Sequence, residues 1–249
     1  NTLRYNFSKK IDVTANLNFQ QSFFKYNDFS TNIFILNPSL FLNIKKTGFG
    51  NFSLSYSENN TLPEVNQLTS NFQLTDYRNF SQGTAYNKPL KNQTTTLNYY
   101  IYNDEKRFSI NTSVYYVNSK SIFNTSSNLT SDFNFNSYIQ TKGSNSYNFN
   151  FSFVNYVRKL KLASKIETNN SWITSPINVN STEFLNAKSY SNSIKYSGTT
   201  YFKSKINFDF GFSYNYFQSN FQGIKTNNTT KDAFLNINYK ISLWLKNEK

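Results

Sequence analysis

The chain has 249 residues, carries 26 Lys and Arg against 13 Asp and Glu, and contains no His, Cys or Met. Without Cys there is neither disulfide nor thiolate chemistry, and without Cys and His the usual zinc ligand sets, Ser-His-Asp triads and Cys-His dyads are excluded. Only 37% of the residues are hydrophobic while 19% are aromatic, so the apolar content lies in Phe and Tyr set among Asn, Ser and Thr, not in the aliphatic residues that fill a soluble core.

Alternation of apolar and polar residues marks strands, and clusters of Asn, Gly, Lys and Ser mark turns. The first strand covers about 2 to 7 and turns at Ser8 to Lys10 into a second over about 11 to 24, whose Val13, Ala15, Leu17 and Phe19 form one apolar face. After a connection near 25 to 30, a third strand over about 31 to 45 carries Phe34, Leu36, Leu40, Leu42 and Ile44. Pro38 interrupts it and predicts a bulge or a local break in pairing, because proline cannot donate to the ladder. A short turn at Lys46 to Gly48 leads to a fourth strand over about 49 to 58, and a long connection over about 59 to 92 follows.

The fifth and sixth strands, about 93 to 102 and 107 to 121, meet at a short turn from Asn103 to Lys106; a connection near 122 to 141 comes next. The seventh, about 142 to 156, aligns Tyr147, Phe149, Phe151 and Phe153, and turns at Val157 to Lys159. In the eighth, about 160 to 174, Lys161, Lys165 and Glu167 alternate with Leu160, Leu162 and Ile166, so its charges must point away from the apolar face. A connection near 175 to 187 precedes the ninth, about 188 to 202. After the turn Lys203 to Ser204, the tenth, about 205 to 219, is the plainest: Ile206, Phe208, Phe210, Phe212, Tyr214 and Tyr216 alternate with Asn207, Asp209, Gly211, Ser213 and Asn215. A longer connection near 220 to 230 leads to an eleventh over about 231 to 245, with Leu235, Ile237, Tyr239, Ile241, Leu243 and Leu245 on one face.

Repeated two-faced strands of this kind predict an all-β, antiparallel, up-and-down transmembrane β-barrel, with lipid outside and water inside. No run approaches the ~18 apolar residues of a spanning helix, and scattered short apolar segments are compatible with passage across an inner membrane toward the cell outer membrane. Short turns alternate with longer connections, which predicts periplasmic turns and extracellular loops, with the first and last strands both running down. Tyr5, Tyr56, Tyr156 and Trp244 lie near strand ends, where amphipathic rings suit the membrane interface. Eleven is an odd number for a single-chain barrel. Together with the missing Met, it predicts that residues 1–249 are a partial barrel domain of a longer polypeptide.

The sequence holds no glycine-rich phosphate loop and no G-x-S-x-G elbow. Asp104 and Glu105 are the obvious adjacent carboxylates, but a predicted tight turn leaves them solvated. The expectation is a non-enzyme with no catalytic residue, metal or cofactor. The bases are dispersed, several falling in pairs at short turns (Lys9 and Lys10, Lys45 and Lys46, Lys106 and Arg107, Arg158 and Lys159, Lys203 and Lys205). Solvated charges at strand ends therefore come well ahead of nucleic-acid binding, with attraction to anionic headgroups or an anionic solute as an addition.

The long connection 59 to 92 is mixed and aromatic, with Leu62, Pro63, Val65, Leu68, Phe72, Leu74, Tyr77 and Phe80. The stretch Tyr56-Ser57-Glu58-Asn59-Asn60-Thr61-Leu62-Pro63-Glu64-Val65-Asn66-Gln67-Leu68 resembles a segment of the outer-membrane barrel of Bacteroidota TonB-dependent receptors. That family follows a Tyr-rich strand with Leu-Pro and Gln-Leu, and after a loop with a Gly-Asn-Pro-x-Leu-Lys-Pro-Glu element. Here Tyr86-Asn87-Lys88-Pro89-Leu90-Lys91-Asn92-Gln93 keeps Asn87, Leu90 and Lys91, while Tyr86, Lys88, Asn92 and Gln93 replace the family's Gly, first Pro and final Pro-Glu. Near the end, Ala233-Phe234-Leu235-Asn236-Ile237-Asn238-Tyr239 with Lys246-Asn247-Glu248-Lys249 is similar to the family's strand before its final few.

The resemblance implies about eleven strands of a 22-stranded barrel, sealed by an N-terminal plug and energised through the TonB system, neither of which is in this sequence. It implies TonB-dependent uptake of a solute such as a glycan, peptide or metal chelate, in contact with the lipid bilayer and lipopolysaccharide and with a surface lipoprotein as a further partner. Tyr77, Arg78, Phe80 and Tyr86 of the long loop are the candidate substrate-binding residues, since aromatic faces and Arg suit any of these solutes. Two other readings stand beside it: a barrel that scaffolds a surface protein complex, and a soluble β-sandwich adhesin packed sheet on sheet.

Overall fold

The computed structural model describes residues 2–8, 10–26, 29–46, 50–64, 67, 70–84, 89–179, 184–204 and 206–239. Among them fifteen strands form one large, mostly antiparallel sheet. They are β1 (Thr2–Ser8), β2 (Ile11–Tyr26), β3 (Phe29–Lys46), β4 (Gly50–Thr61), β5 (Gln73–Asp76), β6 (Asn79–Gln82), β7 (Leu90–Asn103), β8 (Phe108–Ser119), β9 (Ser121–Leu129), β10 (Asn134–Lys142), β11 (Asn145–Val157), β12 (Leu162–Val179), β13 (Leu185–Thr200), β14 (Ile206–Phe221) and β15 (Ile224–Tyr239). Eleven of them pair in an antiparallel series, β1-β2-β3-β4-β7-β8-β11-β12 and on through β13 and β14 to β15. These eleven lie where alternation predicts strands, apart from the last.

Cross-strand partners share a face, so the register sorts the side chains. One row runs Val13, Leu42, Leu54, Leu97, Val114, Phe149, Asn170, Asn192, Tyr216. The described members of every predicted apolar set fall on the face of this row; Ile241, Leu243, Leu245 and Trp244 lie outside the described residues. One residue along, the opposite face reads Asp12, Asn43, Ser53, Asn98, Ser113, Asn150, Asn169, Ser193, Asn215, Thr230. Lys165 and Glu167 join this polar face and pair with each other at 2.7 Å.

The sheet is also staggered. Counting from the row through Val13, the first residue of each strand that leaves a short turn lies progressively further down. Ile11 is about two residues below Val13, Gly50 four below Leu54, Phe108 six below Val114, Leu162 eight below Asn170 and Ile206 ten below Tyr216. That is a constant shift of about one residue per strand. With ~3.3 Å along a strand and ~4.8 Å between strands, it inclines the strands by about 35° from the normal to the line of the short turns.

Four predictions are corrected. The connection expected over 220 to 230 is a two-residue turn at Gln222 and Gly223, so β15 begins at Ile224. Both turn residues have positive φ, 52° and 81°, the pattern of a tight hairpin whose second position favours Gly. Secondly, of the bulge or break in pairing expected at Pro38, the bulge is absent and the break is found on one side alone: β3 stays in register with β2, Pro38 facing Leu17. Pairing of β3 with β4 stops at Ser39, and beyond it the Asn60 side chain donates to Leu36 O and its backbone N–H to Asn37 Oδ1, both at 2.7 Å. Side-chain amide bonds thus continue the strand contact past the residue that cannot donate.

Thirdly, the connections predicted over 59 to 92 and 122 to 141 hold strands of their own, β5–β6 and β9–β10. The two hairpins join side by side, β6 with β10 and β9 with the end of β12, both in parallel. Fourthly, Tyr156 lies on the polar face opposite Ala163, under the Arg107 guanidinium at 5.2 Å, whereas Tyr5 and Tyr56 lie on the apolar face.

The wall has almost no interior. Among the described residues only Ile33 and Ile35 are buried hydrophobics, and large apolar side chains such as Phe19, Phe34, Leu40, Tyr147 and Leu235 are exposed. The accessible surface is 17451 Å², against about 11,400 Å² for a compact globule of the same mass.

Candidate functional site

The polar face is bound together across strands by short side chains. Asn98 Nδ2 donates to Ser53 Oγ at 3.4 Å and Asn150 Nδ2 to Ser113 Oγ at 3.2 Å. Ser193 Oγ donates to Asn215 Oδ1 at 2.7 Å, and Asn215 Nδ2 to Thr230 Oγ1 at 3.2 Å. Each amide and hydroxyl still has unused donor or acceptor capacity, so these rows offer a hydrogen-bonding surface to water or to a polar solute.

On the apolar face, one row carries Tyr56, Thr95, Tyr116, Tyr147, Trp172 and Tyr190, toward the ends of the strands that meet the long connections. Tyr116 stacks on Tyr147 at 4.6 Å and Trp172 lies 5.1 Å from Tyr190. Just beyond this row, Glu58 is gathered in by Lys91, which forms an ion pair with it, by Gln93 Nε2 at 2.9 Å and by Asn60 Nδ2 at 3.3 Å. The carboxylate thus has its charge partner and its hydrogen-bond donors on the neighbouring strand and on its own.

The loop hairpins carry the sequence-predicted site residues and separate them by role. Tyr77 and Arg78 form the tip of the β5–β6 hairpin; Tyr77 is 82% exposed and the guanidinium of Arg78 lies 5.5 Å from its ring. Asp76 Oδ1 accepts from Tyr77 N at 2.6 Å and so shapes the turn. Phe80 faces elsewhere: it stacks on Phe135 at 5.3 Å and meets Phe133 edge-on at 5.7 Å, while Phe72 meets Phe135 at 6.1 Å. It holds the two hairpins together and is not a free contact residue. Tyr86 lies outside the described residues. The structure therefore keeps Tyr77 and Arg78 together at a solvent-facing tip and assigns Phe80 to packing. Phe133 and Phe135, the partners that fix the tip, went unnoticed in sequence because their pairing joins two connections far apart in the chain.

A hollow of about 550 Å³ lies on the polar face at the short-turn end, bordered by Tyr102, Asp104, Arg107, Tyr156 and Tyr201. Tyr102 Oη donates to Asp104 Oδ1 at 3.0 Å and Tyr156 meets Tyr201 edge-on at 6.1 Å. Asp104 and Glu105 are both exposed in their turn. Among the described residues no three acidic side chains converge as a metal site would need. No protein-family model matches the chain, and no curated protein matches it.

Proposed function

We propose that the chain is part of the wall of a transmembrane β-barrel in the cell outer membrane, the barrel of a TonB-dependent receptor that imports a solute. The observation that carries the reading is a single-layered sheet with one aromatic and one polar face, both left open, inclined by about 35°. A closed barrel needs a strand tilt of about 35–45°, and a lipid-facing band needs an unbroken apolar face. A soluble sandwich would instead bury one face of each sheet, and its core would exceed two isoleucines.

In this reading Tyr116, Tyr147 and Trp172 lie at the outer interface, the row climbing with the stagger from Tyr56 inside the band to Tyr190 beyond it; the Asn and Ser rows face the lumen, and the β5–β6 and β9–β10 hairpins stand on the cell surface. Tyr77 and Arg78 are then first contacts for the solute. The TonB system acts through a plug that belongs to the rest of the polypeptide. The exposed hairpin tips also favour a second role, docking of a surface lipoprotein in a larger assembly. The test is accumulation of labelled glycans, peptides and iron chelates by cells with and without the gene, and with TonB inactivated. Uptake of one class that needs both supports the receptor; uptake unchanged by loss of either overturns it.

A further inference from the structure

We propose that the short turns form a level basic rim that docks on the phosphate headgroups of the membrane leaflet next to it. The inference rests on the reading of the aromatic face as lipid-facing, and adds a partner for the edge of the wall. At the end of the wall where strands β2, β4, β8, β12 and β14 begin, each turn contributes exposed positive charge: Lys10 at the first, Lys45, which also meets Asp12 at 3.9 Å, beside the second, Lys106 and Arg107 in the third, Arg158 and Lys159 in the fourth and Lys203 in the fifth. The only exposed acids among the described residues of these turns are Asp104 and Glu105.

The stagger makes these charges a ring. Each strand leaving a short turn starts two residues lower than the one before, which tilt of about 35° cancels, so the turns share one height and stand roughly 12 Å apart. That spacing exceeds a Debye length of about 8 Å, so each turn presents its own charge to the headgroups nearest it. Two of the bases are fixed in place. The Arg158 guanidinium donates to Glu105 O at 2.9 Å, tying the third and fourth turns together, and Arg107 rests over Tyr156. At the other end of the wall the exposed charges are mixed, with Glu64, Asp76 and Asp132 among Arg78, Lys120 and Lys142. The rim continues directly from the aromatic face, so phosphate groups at the boundary of that face come within reach. A Lys or Arg near an anionic membrane surface strengthens attachment about fivefold.

The experiment inserts the full-length protein that contains this chain into phosphatidylcholine vesicles with and without phosphatidylglycerol. Mild detergent extraction and native mass spectrometry then count the lipids retained. The expected result is enrichment of phosphatidylglycerol over phosphatidylcholine, falling by about tenfold or more in the triple variant Lys106→Gln, Lys159→Gln, Lys203→Gln. A control with Lys120→Gln, Lys188→Gln and Lys225→Gln, away from the rim, keeps the enrichment. Insertion with no preference for phosphatidylglycerol, or equal loss in the control, overturns the proposal and leaves the lipid-facing reading intact. Failure to insert into either vesicle overturns that reading, and the rim proposal with it.

Discussion

Arginine placed on the apolar face should cost stability according to its depth, and the stagger fixes that depth. With strands inclined by about 35°, each residue rises about 2.7 Å along the normal to the line of turns. Ile11 lies at the level of the turns, Leu54 is four residues past Gly50 at about 11 Å, and Tyr116 is eight past Phe108 at about 22 Å. In an apolar band about 25 Å tall, Leu54 is near the middle and the other two are at the edges. Leu54→Arg should therefore cost about 2–4 kcal/mol, and Ile11→Arg and Tyr116→Arg about 0–1 kcal/mol, each relative to Ala at the same position. Ser53→Arg, one residue away on the polar face, should cost less than about 1 kcal/mol. The assay is reversible denaturant unfolding in phospholipid vesicles. Equal costs at Leu54 and Ser53, or no dependence on depth along the apolar face, would refute the reasoning.

Three further outcomes follow from local geometry. Phe135→Ala removes ring contacts with Phe72, Phe80 and Phe133 and should loosen both loop hairpins together by about 1–2 kcal/mol; limited proteolysis should then cut near 76 to 79 and 130 to 133 in parallel, and cleavage of one hairpin alone would count against their coupling. Gly50 has φ 84° and an added Cβ would lie 2.5 Å from Tyr100 O, whereas Gly223 has φ 81° with open space around it. Gly50→Ala should thus lower the unfolding midpoint clearly more than Gly223→Ala, which bears only a left-handed backbone cost of about 1–2 kcal/mol. Glu58 pairs with Lys91 and accepts from Gln93 and Asn60, so its neutralisation leaves the Lys91 cation without its partner. Glu58→Gln should lower the unfolding midpoint in denaturant, and an unchanged midpoint would show that the cluster contributes nothing.

Much of the wall was legible because one physical signal, alternation, recurs in strands such as β11 and β14, where Phe and Tyr take one face and Asn and Ser the other. The signal fails where both faces meet water. Residues 224–231, Ile-Lys-Thr-Asn-Asn-Thr-Thr-Lys, are polar on both faces and read as a loop, yet they pair residue for residue with β14. The four-residue strands β5 and β6 are too short to show a period, and the parallel contact of β6 with β10 joins segments about fifty residues apart, which no local pattern encodes. For the site, Tyr77 and Arg78 were recognisable as exposed loop residues. The packing role of Phe80 was not, because it depends on Phe133 and Phe135 across that same contact. Pro38 signalled the place where β3 stops pairing with β4 but not the side, because which neighbour yields to a missing donor depends on the register of both.

The central claim is that the aromatic face meets lipid and the polar face meets water. The chain contains no cysteine, so single spin labels can be placed one at a time along β11, from Asn148 to Phe153, in the vesicle-inserted protein. The account predicts that labels at Phe149, Phe151 and Phe153 collide with lipid-soluble oxygen, and that labels at Asn148, Asn150 and Ser152 collide with a water-soluble nickel chelate, two alternating patterns in opposite phase. Labels on both faces reached equally by the nickel chelate, or two patterns in the same phase, would contradict it.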